Sequence, residues 1–340
     1  MPCYNPRPVW MPPFGGRPKF KNPKQSGYVQ LVIACGECLS CLSKYSLGWA
    51  VRQHCEATTA EIRGLKTGRG ENLFVTFTYN NENLPEFGHY NYQHIQRTIR
   101  TLRQRLGRWA TRNQVQKSDM KFTYCVVPEY GDKNFRPHYH ANIFGITLPD
   151  LEAGDPNNRG NFTYKSEILQ EAWGLGIIDI QPYDYGAGMY IGNHNVKQTG
   201  EPTKLVLKQR YHAIKERIAN ENLETFGEAI AFEPETGEIY PDKIPLPRIY
   251  ASSRPAIGRT WYDQYNESMW ANGFVTIKGN RYPIPKYFER VLFDQNPQKW
   301  AKIALKRREK TYTYTPEQLA TAQRARQHKR EFFGQGAKRL

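Results

Sequence analysis

The sequence predicts an α+β fold, a five-stranded sheet with flanking helices and a C-terminal elaboration, and three observations carry that prediction. Five stretches beginning at Tyr28, Leu73, Phe122, Pro137 and Gly176 have strand composition. Between the second and third lies a strongly amphipathic segment in which Ile95, Ile99, Leu102, Leu106 and Trp109 step by 4, 3, 4 and 3, the spacing of one helix face. Hydrophobic residues at 39% and aromatics at 13% of 340 residues are enough to bury a core, in one elaborated domain or two.

Residues 1–27 are rich in Pro, Gly, Lys and Arg without apolar periodicity and read as an extended basic arm. YVQLVIAC (28–35) follows as a strand, and a helix is expected over about 42–62 with Leu42, Tyr45 and Trp49 on one stripe. In LFVTFTYN, Phe74, Thr76 and Thr78 share one face of a half-buried strand and Val75, Phe77 and Tyr79 the other. The amphipathic helix spans 92–111, and Arg97, Arg100, Arg103, Arg105 and Arg108 lie mostly off its apolar stripe, which makes it a candidate for phosphate contact. A polar loop over 148–162, a short helix over 166–173, a strand over 176–185 and a helical AGMYIGNHNVKQ come next. A polar helix over 204–223, an acidic irregular stretch over 224–242, a loop over 244–259, a helix over 261–270 and a hairpin turning at Lys278-Gly279-Asn280 lead to the helix of KYFERVL. Residues 299–340 carry 12 Lys or Arg against 3 Glu, a basic helix and tail suited to a DNA backbone. The expected divisions are an arm (1–27), a catalytic domain (28–223), an accessory region (224–298) and the basic tail (299–340).

The formal charge of +16 calls for a polyanionic partner, nucleic acid before a membrane surface. No run of about 18 apolar residues is present and the N-terminus has no apolar core for secretion, so the expected site of action is a cytoplasm. Six Cys do not form a secreted disulfide framework. Three are bunched as Cys35-x2-Cys38-x2-Cys41, which fits either reduced thiols at a helix start or part of a structural zinc site whose fourth ligand is Cys55, His54 or Cys3.

The chemistry concentrates in EYGDKNFRPHYHANIF (129–144). In a strand His138 and His140 project the same way while Tyr139 points to the opposite face. A hairpin whose first strand ends at Glu129 adds a carboxylate, and two imidazoles with one carboxylate suit a divalent ion, Mg²⁺ or Mn²⁺, with positions left for a substrate oxygen. Tyr190, His194 and Lys197 are spaced by 4 and 3, so a helix places them on one face, with Tyr190 a candidate nucleophile.

FRPHYHANIFG, preceded by PEYG, resembles the metal motif of the HUH endonucleases and, more closely, of the replication initiators of gokushovirus-like microviruses. ACGECLSC with KYSLGWAVR, FVTFTYNNENLP, SSRPAIGRTWYDQY and PIPKYFERVL are similar to other blocks of that family, in islands over about 31–292. The resemblance implies a central antiparallel sheet with the HUH strand in its middle. It also implies rolling-circle initiation: a metal at Glu129, His138 and His140, a nick in single-stranded origin DNA, and a covalent 5′-phosphotyrosine that leaves a 3′-hydroxyl for the host polymerase and helicase. The family's tyrosine motif reads Tyr-x3-Tyr-x2-Lys; here Tyr190 and Lys197 match and His194 stands at the second tyrosine position. Tyr190 is therefore the expected nucleophile, ahead of Tyr183 and Tyr185, with Lys197 beside it. Two other readings remain open: a non-catalytic single-stranded DNA-binding protein, and a metal-dependent nuclease that activates water.

Overall fold

A computed structural model of the chain describes residues 2–12, 19–24, 26–85, 89–131, 136–157, 160–198, 224–226, 230–232, 239–241, 248–309 and 314–336. In chain order the elements are β1 (Arg7–Met11), β2 (Val29–Ile33), α1 (Leu39–Thr67), β3 (Glu71–Tyr79), α2 (Tyr92–Arg112), β4 (Thr123–Tyr130) and β5 (Pro137–Ile146). They continue as β6 (Glu152–Ala153), β7 (Tyr164–Lys165), α3 (Glu167–Trp173), β8 (Gly176–Pro182), α4 (Tyr185–Gln198), β9 (Glu224–Phe226), β10 (Ile230–Phe232) and β11 (Ile239–Pro241). The last are β12 (Tyr250–Ala251), α5 (Arg259–Asn272), β13 (Val275–Ile277), β14 (Asn280–Tyr282), α6 (Lys286–Gln295), α7 (Pro297–Glu309) and α8 (Pro316–Gly336). None of the described helices is long and apolar enough to cross a membrane. The chain divides into a unit of residues 46–288 and a unit of 1–45 with 289–340.

The larger unit is built on an antiparallel sheet in the order β12-β4-β5-β3-β8-β7-β6, with β5, the strand of the two histidines, between β4 and β3. It has seven strands rather than five, because β6, β7 and β12 are two-residue ladders at its edges, too short to leave a periodic signal. The strand expected at Tyr28 forms but pairs with β1 from the arm. All five residues of β2 are exposed, so no buried face calls it into the main sheet, and Pro8 is tolerated in its partner because a two-stranded ribbon is all edge. The arm is thus part strand. The stretch expected to be irregular and acidic at 224–242 contains β9, β10 and β11, an antiparallel three-stranded sheet; the helix expected over 204–223 lies outside the described residues.

Period-two alternation decides which side of the main sheet each residue meets. Leu73, Val75, Phe77, Tyr139, Ala141 and Ile143 point to one side and are buried under α2 and α3. Helix α2 covers that side with Ile95, Ile99, Leu102 and Leu106, each worth about 1.5–3 kcal/mol when fully buried. Its start is capped by Asn91, whose side chain accepts from the Gln93 N–H at 2.9 Å. Helix α3 is capped by Ser166, which accepts from the Leu169 N–H, and stops at Gly174 with φ 63°.

The other side of the sheet carries Cys125, Val127, Phe74, His138, His140, Asn142 and Phe144 and packs against α1 and α4. Helix α1 does not bury the stripe of Leu42, Tyr45 and Trp49 as expected: Tyr45 is exposed, and the buried face is Ser46, Ala50, Gln53, Ala57 and Ala60. These residues are small where α4 crosses. A Cβ on Gly192 would lie 2.6 Å from the Ser46 carbonyl oxygen, and one on Gly188 would lie 2.8 Å from the Tyr183 hydroxyl. Gln53 ties the layers together: its amide donates to the Gly188 carbonyl at 3.3 Å and its Oε1 accepts from Asn142 Nδ2 at 2.7 Å. Gly192→Ala is expected to cost about 1–3 kcal/mol in urea unfolding, because α4 must lift away from α1. The side chains α4 holds over the sheet would lift with it.

Candidate metal centre

Register brings the ligand set together. Glu129 on β4 pairs with His138 on β5, and the next row on the same face runs Val127, His140, Thr76, Asp179 across β4, β5, β3 and β8. Glu129 Oε2 is 2.8 Å from His140 Nε2 and 3.3 Å from His138 Nε2, and the three ligand atoms lie within 4.8 Å of one another. Glu129 and His140 are buried and His138 is half-buried. The expected face alternation holds, with Tyr139 fully buried on the opposite side.

The remaining ring nitrogens are oriented by partners that the sequence did not single out. His138 Nδ1 is 3.2 Å from the Arg136 carbonyl oxygen, which only accepts, and its Nε2 faces Glu129. His140 Nδ1 is 3.1 Å from Thr76 Oγ1, and Phe74 stacks on the His140 ring at 5.5 Å. An imidazole whose far nitrogen is hydrogen-bonded and whose near nitrogen converges on a carboxylate is the arrangement metal-ligating histidines adopt. The donor set therefore fits a divalent ion with oxygen and nitrogen preferences.

Tyr190 reaches this centre from α4. Its hydroxyl is 3.2 Å from Glu129 Oε2 and 3.3 Å from His140 Nε2, its ring meets His140 edge-on at 4.9 Å, and the residue is 38% exposed. The hydroxyl thus lies next to the candidate metal ligands, on a side chain that is partly exposed. Tyr183 packs on Phe144 and Tyr185 on Tyr282 and His54, and burial pushes both phenols up. Lys197 and His194 fall within α4, but their side chains lie outside the described residues.

The arginine face of α2 does not join this centre, since α2 covers the opposite side of the sheet. Arg97, Arg100, Arg103 and Arg108 are exposed there, whereas Arg105 is paired with Glu171. The cysteines also assemble. Cys35, Cys38 and Cys41 are joined by Cys3, while Cys55 is buried within α1 and His54 faces Tyr185, so neither of those supplies the fourth group.

Burial holds His140 below its ordinary value of 6.5, against the opposing pull of Glu129. A neutral His140 contributes stability that is complete above 6.5 and is lost as pH falls from there toward the lower folded value, because the unfolded chain takes up a proton that the folded site refuses. Urea midpoints measured from about pH 7.5 down to about 5.5 should fall more steeply for the native chain than for His140→Gln. Equal slopes would mean that His140 is not held neutral.

Fold and site together define an α+β protein in which a carboxylate and two histidines form a candidate metal centre beside a tyrosine. Residues 72–199, which hold every residue of that centre, match the family model described as replication-associated protein ORF2/G2P. The chain is similar to the replication-associated protein VP4 of Bdellovibrio phage phiMH2K, 23% identical over 81% of this chain and 73% of that protein. It is also similar to the replication-associated protein ORF2 of Spiroplasma virus 4, 25% identical over 76% of this chain and 67% of that one. With the replication-associated protein ORF4 of Chlamydia phage 1 it shares 24% identity over 76% of this chain and 53% of that one. The resemblance to microvirus replication initiators is thereby borne out. No solved structure matches the chain at a comparable level.

Proposed function

We propose that the chain is a rolling-circle replication initiator with an HUH endonuclease fold, which nicks one strand of its origin DNA and keeps the new 5′ end as a phosphotyrosine on Tyr190. The observation that carries this reading is the Tyr190 hydroxyl, 3.2 Å from Glu129 and 3.3 Å from His140 at the point where the candidate metal ligands converge. The likeness to phage replication-associated proteins supports a role in replication initiation inside an infected host, with DNA as the partner; in this reading the chain works in the bacterial cytoplasm alongside the host helicase and polymerase.

Glu129, His138 and His140 would hold the ion, Mg²⁺ or Mn²⁺. Bound there, such an ion supplies Lewis-acid polarisation of the scissile phosphate. Tyr190 attacks phosphorus; a bond from its oxygen to phosphorus forms as the bond to the 3′ oxygen of the preceding nucleotide breaks. The phenolic proton leaves to solvent and the departing oxygen takes one up to become the free 3′-hydroxyl, so the step is proton-neutral. One phosphoester replaces another, so attack by a 3′-hydroxyl on the phosphotyrosine runs the step backwards and rejoins strands. We assign Lys197, two helical turns beyond Tyr190, to neutralising charge on the phosphate as it reacts. Residues 28–223 form the nuclease domain in this scheme, with 224–298 an accessory region and the arm and basic tail available to DNA backbone.

Labelled single-stranded origin DNA incubated with the protein and Mn²⁺ or Mg²⁺, then run on a denaturing gel, is expected to give a protein-linked strand and a product ending in a 3′-hydroxyl. Cleavage with no linked protein would instead mean a water-activating nuclease. An intact strand would mean a binding protein.

A further inference from the structure

We propose a second metal site, separate from the carboxylate and histidines and independent of the nicking reaction: Cys3, Cys35, Cys38 and Cys41 hold one zinc ion as a tetrathiolate. All four belong to the unit of residues 1–45 and 289–340. Their sulfurs lie within 4.8 Å of one another, with Cys3 to Cys35 at 3.5 Å, Cys3 to Cys38 at 3.9 Å and Cys35 to Cys41 at 4.0 Å. Sulfurs placed tetrahedrally at about 2.3 Å from zinc are about 3.8 Å apart, the middle of that range. A disulfide would need about 2.05 Å, and all four cysteines are free. A multi-iron cluster would hold its cysteine sulfurs well beyond the observed separations.

Backbone amides complete the site. The Cys35 N–H donates to Cys3 Sγ at 3.2 Å, the Cys38 N–H to Cys35 Sγ at 3.3 Å and the Tyr4 N–H to Cys38 Sγ at 3.5 Å. Hydrogen bonds of this kind are the outer contacts that hold metal-bound sulfurs in place. Thiolates this close repel one another unless a cation lies between them, and four soft sulfur donors select zinc over the hard ions suited to the histidine centre.

The sequence builds this cradle from three directions. Gly36, at φ 80°, lets the chain between Cys35 and Cys38 turn tightly enough for the Cys38 amide to return to Cys35. Cys38 directly precedes α1 and Cys41 lies in its first turn, three residues on and on the same side. Antiparallel pairing of Arg7 with Ile33 makes the chain before β1 and the chain after β2 leave the ribbon together, and these two ends carry Cys3 and Cys35. Loading four thiols with Zn²⁺ releases four protons and leaves a dianionic centre, so the binding energy becomes folding energy for the ribbon and the start of α1.

The test uses the full chain with His138→Ala and His140→Ala, so that the other centre contributes no metal. Elemental analysis after extensive dialysis is expected to count one zinc per chain, released by titration with a mercurial thiol reagent. Cobalt substitution should give the intense visible bands and near-ultraviolet thiolate-to-metal band of a tetrahedral tetrathiolate. Cys3→Ser should weaken zinc binding by at least about 100-fold in competition with a chelator dye. The proposal is overturned by a chain carrying under about a tenth of an equivalent of zinc, by iron in its place, by a cobalt spectrum without the thiolate band, or by native affinity in Cys3→Ser. The cobalt spectrum is read on a chain with all four cysteines and so decides the matter even if Cys3→Ser does not fold.

Discussion

Tyr190→Phe is expected to abolish the DNA-linked product, with a fall of at least about 1,000-fold in nicking, while leaving the fold and single-stranded DNA affinity within twofold of native. The substitution removes one oxygen. The ring keeps its edge-on contact with His140 and its packing on Phe74, so the helix that carries it has no reason to move. The lost hydrogen bonds to Glu129 and His140 are made by a residue 38% exposed, and water can replace the hydroxyl at little cost. Nicking by a labelled-strand assay and binding by fluorescence anisotropy separate the two effects. Full activity in Tyr190→Phe would pass the nucleophile to another residue, and Tyr183 is poorly suited because its hydroxyl is buried and its ring packs on Phe144.

Glu129→Gln should act through the metal. The carboxylate lies between two imidazole nitrogens, at 2.8 Å and 3.3 Å, and supplies the negative charge of the ligand set. An amide of the same shape keeps the packing and removes that charge, so nicking at low Mn²⁺ is expected to fall about 100- to 1,000-fold and to recover partly at high Mn²⁺. Tyr190→Phe should show no such recovery. A second readout needs no DNA: at about 100 times its dissociation constant an ion that binds only the folded chain adds about 2.7 kcal/mol, so Mn²⁺ should raise the unfolding temperature of the native protein and not of Glu129→Gln. Equal thermal shifts in both would remove Glu129 from the ligand set.

The convergence of Glu129, His138 and His140 was legible in the sequence because all three sit on one hairpin, where alternation and register follow from a short stretch of chain. Tyr190 was brought forward by helical spacing together with the tyrosine motif of the family the chain resembles, and the structure places its hydroxyl beside Glu129 and His140. Thr76 and Phe74, which orient His140, were placed correctly on one face of their strand, but pairing β3 beside β5 joins residues 64 apart, and no local pattern states that partnership. The same distance effect left Cys3 as one of three candidates for the fourth position, because its sulfur meets Cys35 only after β1 and β2 pair. Helix α1 was misread for a different reason. The stripe of Leu42, Tyr45 and Trp49 has the bulk of a buried face, whereas the glycines of α4 demand small residues opposite them and put Ser46 and Ala50 inside. The arginines of α2 were legible as a charged face, but only the sheet's two-sidedness reveals that they are turned away from the histidines.

The measurement that tests the central claim most directly is peptide mapping of the covalent product. Protein incubated with single-stranded origin DNA and Mn²⁺ is digested with nuclease and trypsin, and the peptide that gains a nucleotide is sequenced by tandem mass spectrometry. The expected result is a 5′-nucleotide esterified to Tyr190, with the released strand ending in a 3′-hydroxyl. A nucleotide on any other residue, or cut strands with no modified peptide, would contradict it.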